Sequence, residues 1–174
     1  SRDMAKAEEF ASKNGFKKAY GSYEAMLADP EVDIVYIATP NNLHYSNTIA
    51  ALSAGKNVLC EKPFALNSKE LAEMIELARS KKLFLMEALW SRFLPSVVKG
   101  KELIESEKLG KAHGVRGDVG FISEYNPEGR LFNPSLGGGS LLDIGIYPVF
   151  LSLFVFGYPD NISVLSVKAP SGTD

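Results

Sequence analysis

An acid and a base stand side by side at the end of an apolar run. In "NVLCEKPF", residues 57–64, Glu61 and Lys62 directly follow Val58–Cys60. Pro63 fixes its own backbone φ and favours an extended conformation at the residue before it. A lysine held in this way could stabilise developing negative charge during a reaction. From its position alone, a solvated loop lysine is an equally good interpretation.

A second group of candidates lies in "GGGSLLDIGIY", residues 137–147. Asp143 and Tyr147 are four residues apart, so a helix would place them on the same side. Ser140 and Asp143 also fit a capping pattern, in which Asp143 would only stabilise a helix start. Tyr147 could equally be an ordinary core side chain. The three glycines could be a flexible lead-in or could let a ligand approach the backbone closely.

The elements that must position these residues follow an α/β pattern in the first half of the chain. Strands alternate with helices, which is typical of βαβ units and a parallel sheet. Their apolar character predicts strands buried on both faces. The predicted strands are 32–40, 57–60 and 83–89, and the predicted helices are 3–14, a short one opened by Ser22, 43–54, and one capped by Ser68.

Polar residues follow the end of each predicted strand. In an open parallel sheet, ligands bind beyond the carboxyl ends of the strands. Trp90 and Arg92 could line such a pocket or could simply cover a junction between domains. His44 is either functional or an uninvolved residue at a helix start. The segments concerned are "TPNNLH" at 39–44, "EKP" at 61–63 and "EALWSRF" at 87–93.

The pattern changes near residue 90, where we place a domain boundary between residues 1–89 and 90–174. Alternating apolar residues predict two further strands, near 112–121 and over 161–169. A helix is expected over 96–107, before the first of these strands.

The composition excludes several classes of protein. The 19 basic and 21 acidic residues form no block of like charge, so neither nucleic acid nor an anionic membrane is indicated. The uncharged run Ile144–Tyr158 is shorter than the roughly 18–20 residues of a membrane span and contains Pro148, which favours a buried helix. With Cys60 as the only cysteine, a reducing compartment such as the cytoplasm is the simpler interpretation. Two histidines and one cysteine, far apart, match no familiar zinc spacing.

Together these motifs resemble the glucose–fructose oxidoreductase/inositol dehydrogenase (Gfo/Idh/MocA) family. The resemblance rests on "TPNNLH", "EKP" and "GGGSLLDIGIYP" in that order, and it covers essentially the whole chain. "LFLMEALWSRFLP" is similar to the branch of dimeric dihydrodiol dehydrogenases, which includes NADP-dependent D-xylose dehydrogenases. The resemblance implies a Rossmann-type parallel sheet, then an α+β domain with a mostly antiparallel open sheet through which subunits form a homo-oligomer.

The same resemblance assigns roles to the candidate residues. Lys62 would be the catalytic lysine near the nicotinamide, and Tyr147 the acid/base. Asp143 would orient the substrate or the Lys62–Tyr147 pair, and Glu61 would lie beside the nicotinamide ribose. The other residues expected to line or border the cofactor are Thr39, Pro40, Asn42, His44, Trp90 and Arg92.

The reaction implied is hydride transfer between a nicotinamide cofactor and the hydroxyl carbon of a sugar or vicinal diol. A free phenol is a poor base near neutral pH, but the Lys62 ammonium would favour the phenolate of Tyr147. Two alternatives remain: a cofactor-sensing regulator of the same fold, and a sugar–sugar oxidoreductase with tightly held cofactor.

One element of the family pattern is not found in this chain. The glycine-rich G-x-G-x-x-G turn should precede the segments described above, and further strands of the second sheet should follow them. That turn and its helix hold the cofactor's pyrophosphate. We therefore expect that the 174-residue chain does not catalyse alone.

Arg2 predicts a preference for NADP over NAD. By the resemblance, Arg2 follows the second Rossmann strand, where a carboxylate would suit the 2′-hydroxyl of NAD and an arginine the 2′-phosphate of NADP. The neighbouring Asp3 is the competing signal. In the full-length parent protein we expect a higher kcat/KM with NADP, and Arg2→Ala should weaken NADP more than NAD. Equal values for the two cofactors, or a higher value with NAD, would contradict the prediction.

Overall fold

The computed structural model describes residues 3–174. Within that range the chain forms six α-helices and three β-strands, and several of the connections contain short 3₁₀ turns. A π-helical turn, Leu141–Gly145, directly precedes the last helix. The helices are α1 Met4–Asn14, α2 Tyr23–Ala28, α3 His44–Ser53, α4 Ser68–Lys81, α5 Pro95–Glu105 and α6 Ile146–Phe156, and the strands are β1 Ile34–Ile37, β2 Asn57–Cys60 and β3 Leu85–Glu87.

The three strands form a parallel sheet in the order β1-β2-β3. The predicted Rossmann-type βαβ arrangement is therefore confirmed. In register, Ile37 lies beside Cys60, and Cys60 lies beside Glu87. Because these are the last residues of their strands, the three polar segments that follow them emerge at one edge of the sheet.

Helices α3 and α4 cover only one face of this sheet. Val35 and Ile37 of β1 pack there against Leu52 and Val58, while Ile34 and Tyr36 of the same strand are exposed. The prediction of strands buried on both faces was therefore wrong for β1. Alternate side chains of this apolar run pack on the face covered by helices, and among the described residues nothing covers the opposite face of β1.

Helix ends follow local side-chain chemistry, with one correction. Gly15 ends α1 at φ 73°, a left-handed conformation that glycine adopts without strain, and the Ser22 side chain caps α2. Helix α4 is capped by Asn67, whose side chain accepts a hydrogen bond from the backbone N–H of Glu70. Ser68 is already the first helical residue, because it is the backbone of Asn67 that is extended.

The two strands expected in the second half are not formed in the described part of the chain. Residues 112–121 and 161–169 include no β-strand, and most of their side chains are exposed. Alternation of apolar residues is not sufficient for a strand, because its N–H and C=O groups also need a partner backbone. The expected antiparallel sheet is thus not observed among residues 3–174, and subunit association through it stays a prediction.

Helix α6 is half-buried, with Val149 and Phe156 exposed, so the prediction of a buried helix was wrong. By length and composition alone, the 23-residue stretch Pro134–Phe156 is apolar enough to cross a membrane. This is weak evidence, since core helices of soluble proteins pass the same test.

Leu52 tests whether the core between α3 and the sheet stabilises the fold. Its side chain is 0% exposed, so Leu52→Ala should leave a cavity and lower the free energy of unfolding by about 2–5 kcal/mol. Leu109→Ala is the matched control, because Leu109 is 80% exposed. Urea unfolding of both variants measures the difference. Equal small effects would show that the α3 contact contributes little.

Candidate active site

Lys62 and Asp143 join the two halves of the chain. Lys62 follows β2, and its Nζ lies 3.2 Å from Oδ1 of Asp143 and donates a further hydrogen bond to the Asp143 carbonyl oxygen. The two side chains are only 16% and 13% exposed. Two residues 81 positions apart in the sequence therefore form a largely buried ion pair at the carboxyl edge of the sheet.

Tyr147 lies on the same cluster. The Nζ of Lys62 is 5.3 Å from the centre of the Tyr147 ring, and Trp90 packs edge-on against that ring with centroids 6.1 Å apart. A cation over an aromatic face is attracted to the ring electrons. The structure thus brings together four of the predicted residues, which are Lys62, Asp143, Tyr147 and Trp90.

Asp143 is free to make this contact because it does not cap a helix. Ser140 makes no side-chain capping bond, and the capping interpretation of the Ser140–Asp143 pair was wrong. The Oδ2 atom of Asp174 accepts hydrogen bonds from Leu141 N at 2.6 Å and from Ser140 Oγ at 2.9 Å. The carboxylate of Asp174, distant in sequence, therefore accepts the hydrogen bonds of donor groups at the start of the π-helical turn.

Arg130 is a site residue that the sequence did not reveal. Its Nη1 lies 2.9 Å from the Oδ1 atom of Asp143, the same oxygen that Lys62 contacts. Burial raises the pKa of Asp143, but the two cations outweigh it and hold that pKa below its usual value. A loop arginine carries no local signal of such a contact, which depends on the fold.

The glycine run allows the two halves to approach each other. Gly137 has φ 76°, and a Cβ there would lie 2.6 Å from Leu66 Cδ2 and 3.0 Å from Asn41 Cβ. The side chain of Asn41 also donates to the carbonyl oxygen of Gly137 at 3.0 Å. Of the two predicted roles for these glycines, close approach is thus observed at Gly137, with protein as the partner.

His44 supports the site from within. Its ring is 1% exposed, with Nδ1 2.7 Å from the carbonyl oxygen of Pro63 and Nε2 2.8 Å from that of Thr39. Both partners are acceptors, so both contacts are hydrogen bonds only when both ring nitrogens carry a proton. His44 therefore ties the loop after β1 to the loop that carries Lys62.

Glu61 is held in place from two sides. One carboxylate oxygen accepts from the backbone N–H of Lys62 at 3.2 Å, and the other accepts from the hydroxyl of Tyr36. Tyr36 was not predicted as a site residue, since its position in β1 suggested only packing. The contact fixes a negative charge next to Lys62.

The loop after β1 presents one unpaired acceptor. Oδ1 of Asn42 is buried and has no hydrogen-bond partner. Thr39 is already engaged, because its hydroxyl oxygen accepts from Asn47 Nδ2 at 3.1 Å, and Pro40 is exposed. A buried amide oxygen at a strand end is suited to a ligand that donates a hydrogen bond.

Arg92 stands apart from this cluster. The guanidinium of Arg92 lies 5.4 Å from the Phe154 ring centre, which favours the junction interpretation for that residue. Arg2 lies outside the described residues. Asp3, its neighbour, caps α1 by accepting from Lys6 N at 3.2 Å.

Comparison with known proteins identifies related sequences along the whole chain. Residues 1–89 match the Gfo/Idh/MocA "Oxidoreductase family, NAD-binding Rossmann fold", and residues 97–173 match the "GFO/IDH/MocA C-terminal domain". These matches agree with the resemblance found in the motifs.

Two named relatives belong to the expected branch. Trans-1,2-dihydrobenzene-1,2-diol dehydrogenase of Danio rerio is 42% identical over 176 residues, which cover 100% of this chain and 52% of that protein. D-xylose 1-dehydrogenase (NADP(+)) of Hypocrea jecorina is 42% identical over 168 residues, covering 88% and 43%. The chain spans about half the length of such relatives.

A solved structure shares the fold. The aldose-aldose oxidoreductase from Caulobacter crescentus, complexed with glycerol, superimposes with a TM-score of 0.75 at 31% identity. The match covers 88% of this chain and 47% of that one.

His44→Leu tests the support given by the buried imidazole. Each carbonyl oxygen that loses its donor should cost about 1–3 kcal/mol of stability, measured by urea unfolding. His113→Leu is the control, because His113 is exposed. If both variants unfold at the same urea concentration, His44 does not hold the two loops together.

Proposed function

Because the chain belongs to the Gfo/Idh/MocA family of oxidoreductases, we propose that it serves hydride transfer between a nicotinamide cofactor and the hydroxyl carbon of a sugar or vicinal diol. The observation that carries this proposal is the grouping of Lys62, Asp143 and Tyr147 at the carboxyl edge of a parallel sheet. The names of the relatives, a diol dehydrogenase and a sugar dehydrogenase, support the substrate class.

The residues at this edge fit a nicotinamide cofactor. The unpaired buried oxygen of Asn42 can accept a hydrogen bond, and Glu61 is a fixed carboxylate suited to ribose hydroxyls. Thr39 and Pro40 would border the cofactor on the same loop. When bound, the nicotinamide supplies or accepts the hydride, while the protein provides position and proton transfer.

Tyr147 would exchange the proton of the substrate hydroxyl. An alcohol must lose its proton as hydride leaves, and a phenolate can accept it. The Lys62 ammonium, whose Nζ lies 5.3 Å from the centre of the Tyr147 ring, would stabilise negative charge that develops on the substrate oxygen. Asp143 holds Lys62 in this position, and Trp90 packs edge-on against the phenol ring.

NADP is the cofactor that we propose. Arg2 would pair with the 2′-phosphate, and one relative at 42% identity is named as an NADP(+) enzyme. The comparison of kcat/KM described above tests this part separately from the catalytic residues.

A second candidate is transfer between two sugars through a cofactor that does not leave. The 31% identical aldose-aldose oxidoreductase supports it. Extensive dialysis discriminates the two: cofactor that survives dialysis, with turnover only when two sugars are supplied, favours the second candidate. No turnover with any sugar or diol would favour a cofactor-sensing regulator.

In the full-length protein, Lys62 and Tyr147 should act together as one catalytic unit. Lys62→Met removes the charge that stabilises the developing negative charge, and Tyr147→Phe removes the proton acceptor. Each variant should lower kcat by about 10²–10⁴-fold with a smaller effect on KM. The double variant should be scarcely worse than the poorer single one, because both residues serve one proton transfer.

Lys108→Met and Tyr158→Phe are matched controls, since both residues are exposed. Losses that add in the double variant would mean independent roles. A Tyr147→Phe enzyme with normal kcat would show that Tyr147 only packs.

A further inference from the structure

One carboxylate oxygen in this site serves two cations. Oδ1 of Asp143 is 3.2 Å from Lys62 Nζ and 2.9 Å from Arg130 Nη1. The Asp143 side chain is largely buried, whereas that of Arg130 is 66% exposed. Arg130 thus reaches Asp143 from the outside, and Lys62 reaches it from the sheet.

The loop that carries Arg130 is fixed to the glycine run. The backbone N–H of Gly138 donates to Asn133 O at 3.0 Å, and that of Gly139 donates to Leu131 O at 2.9 Å. A Cβ at Gly138 would lie 2.9 Å from each of these oxygens and 3.0 Å from Arg130 O. The backbone of Arg130 is therefore held beside the segment that leads to Asp143.

The presence of Arg130 changes the charge balance of the cluster. With it, the two cations Lys62 and Arg130 balance the two carboxylates Asp143 and Glu61. Without it, Lys62 alone faces both carboxylates, and the cluster carries one negative charge. In a partly buried site such a difference in charge changes interaction energies more than it would in bulk water, because the effective dielectric constant is lower. Tyr147, whose ring lies 5.3 Å from Lys62 Nζ, is the group exposed to this difference.

We propose that Arg130 is a positioning residue for catalysis, which draws part of the Asp143 charge away from Lys62. Lys62 is then anchored by Asp143 but not neutralised by it, so its positive charge remains effective at Tyr147 and the substrate oxygen. This inference rests on the proposed function of the same site, and it assigns Arg130 no contact with substrate.

Replacing Arg130 should therefore affect the chemical step. Arg130→Gln should lower kcat for alcohol oxidation about tenfold or more, the scale of one hydrogen bond to a charged group. KM for the alcohol should change little, since an interaction specific to the transition state is weakened. Arg130→Lys should recover most of kcat because it restores the charge. Arg79→Gln, at the exposed C-terminal end of α4, is the control and should match the unmodified protein.

The Asp143→Asn background shows whether Arg130 acts through Asp143. There, adding Arg130→Gln should cause no further loss of kcat. The proposal is overturned by an undiminished kcat in Arg130→Gln, by a change confined to KM, by an equal loss in the Asp143→Asn background, or by an Arg130→Lys variant as impaired as Arg130→Gln.

A measurement without turnover separates this inference from the proposed function. Acetic anhydride acylates only unprotonated amines, and peptide mass spectrometry reports the rate at Lys62. Acylation should be severalfold slower in Arg130→Gln, where Asp143 pairs with Lys62 alone, and faster in Asp143→Asn. If the rates change in this way but no sugar or diol is oxidised, only the proposed function fails. If turnover is found and the Lys62 rate does not respond to Arg130→Gln, this inference fails.

Discussion

The ion pair between Lys62 and Asp143 is the constraint on which the site depends. Both side chains are largely withdrawn from water, and a charge in that position needs a well-placed partner. The partner comes from the other half of the chain, so the halves must meet closely. The glycine run permits that approach, and Asp174 satisfies the turn from which Asp143 projects.

The sequence revealed what local chemistry determines. The parallel strands and the motifs at their ends could be predicted, because apolar runs, turn residues and helix-ending glycines act over a few positions. The cap of α4 was misassigned by one residue, since Asn67 and Ser68 are both good capping residues and only the backbone decides between them.

Contacts between distant residues could not be predicted in the same way. Residues 112–121 alternate as a strand should, yet a strand exists only when another backbone pairs with it. Arg130 is 13 positions before Asp143, and no periodicity relates the two. His44 shows a related limit: the family resemblance suggested contact with the cofactor, but nothing in the local sequence indicated that its ring lies between two carbonyl oxygens.

The unequal exposure of the two cations on Asp143 makes the site sensitive to ionic strength. Dissolved ions screen exposed charges strongly and partly buried pairs much less. Electrolyte should therefore weaken the hold of Arg130 on Asp143 before it weakens that of Lys62. In concentrated electrolyte the carboxylate would pair mainly with Lys62, so the medium itself would set how much positive charge Tyr147 experiences.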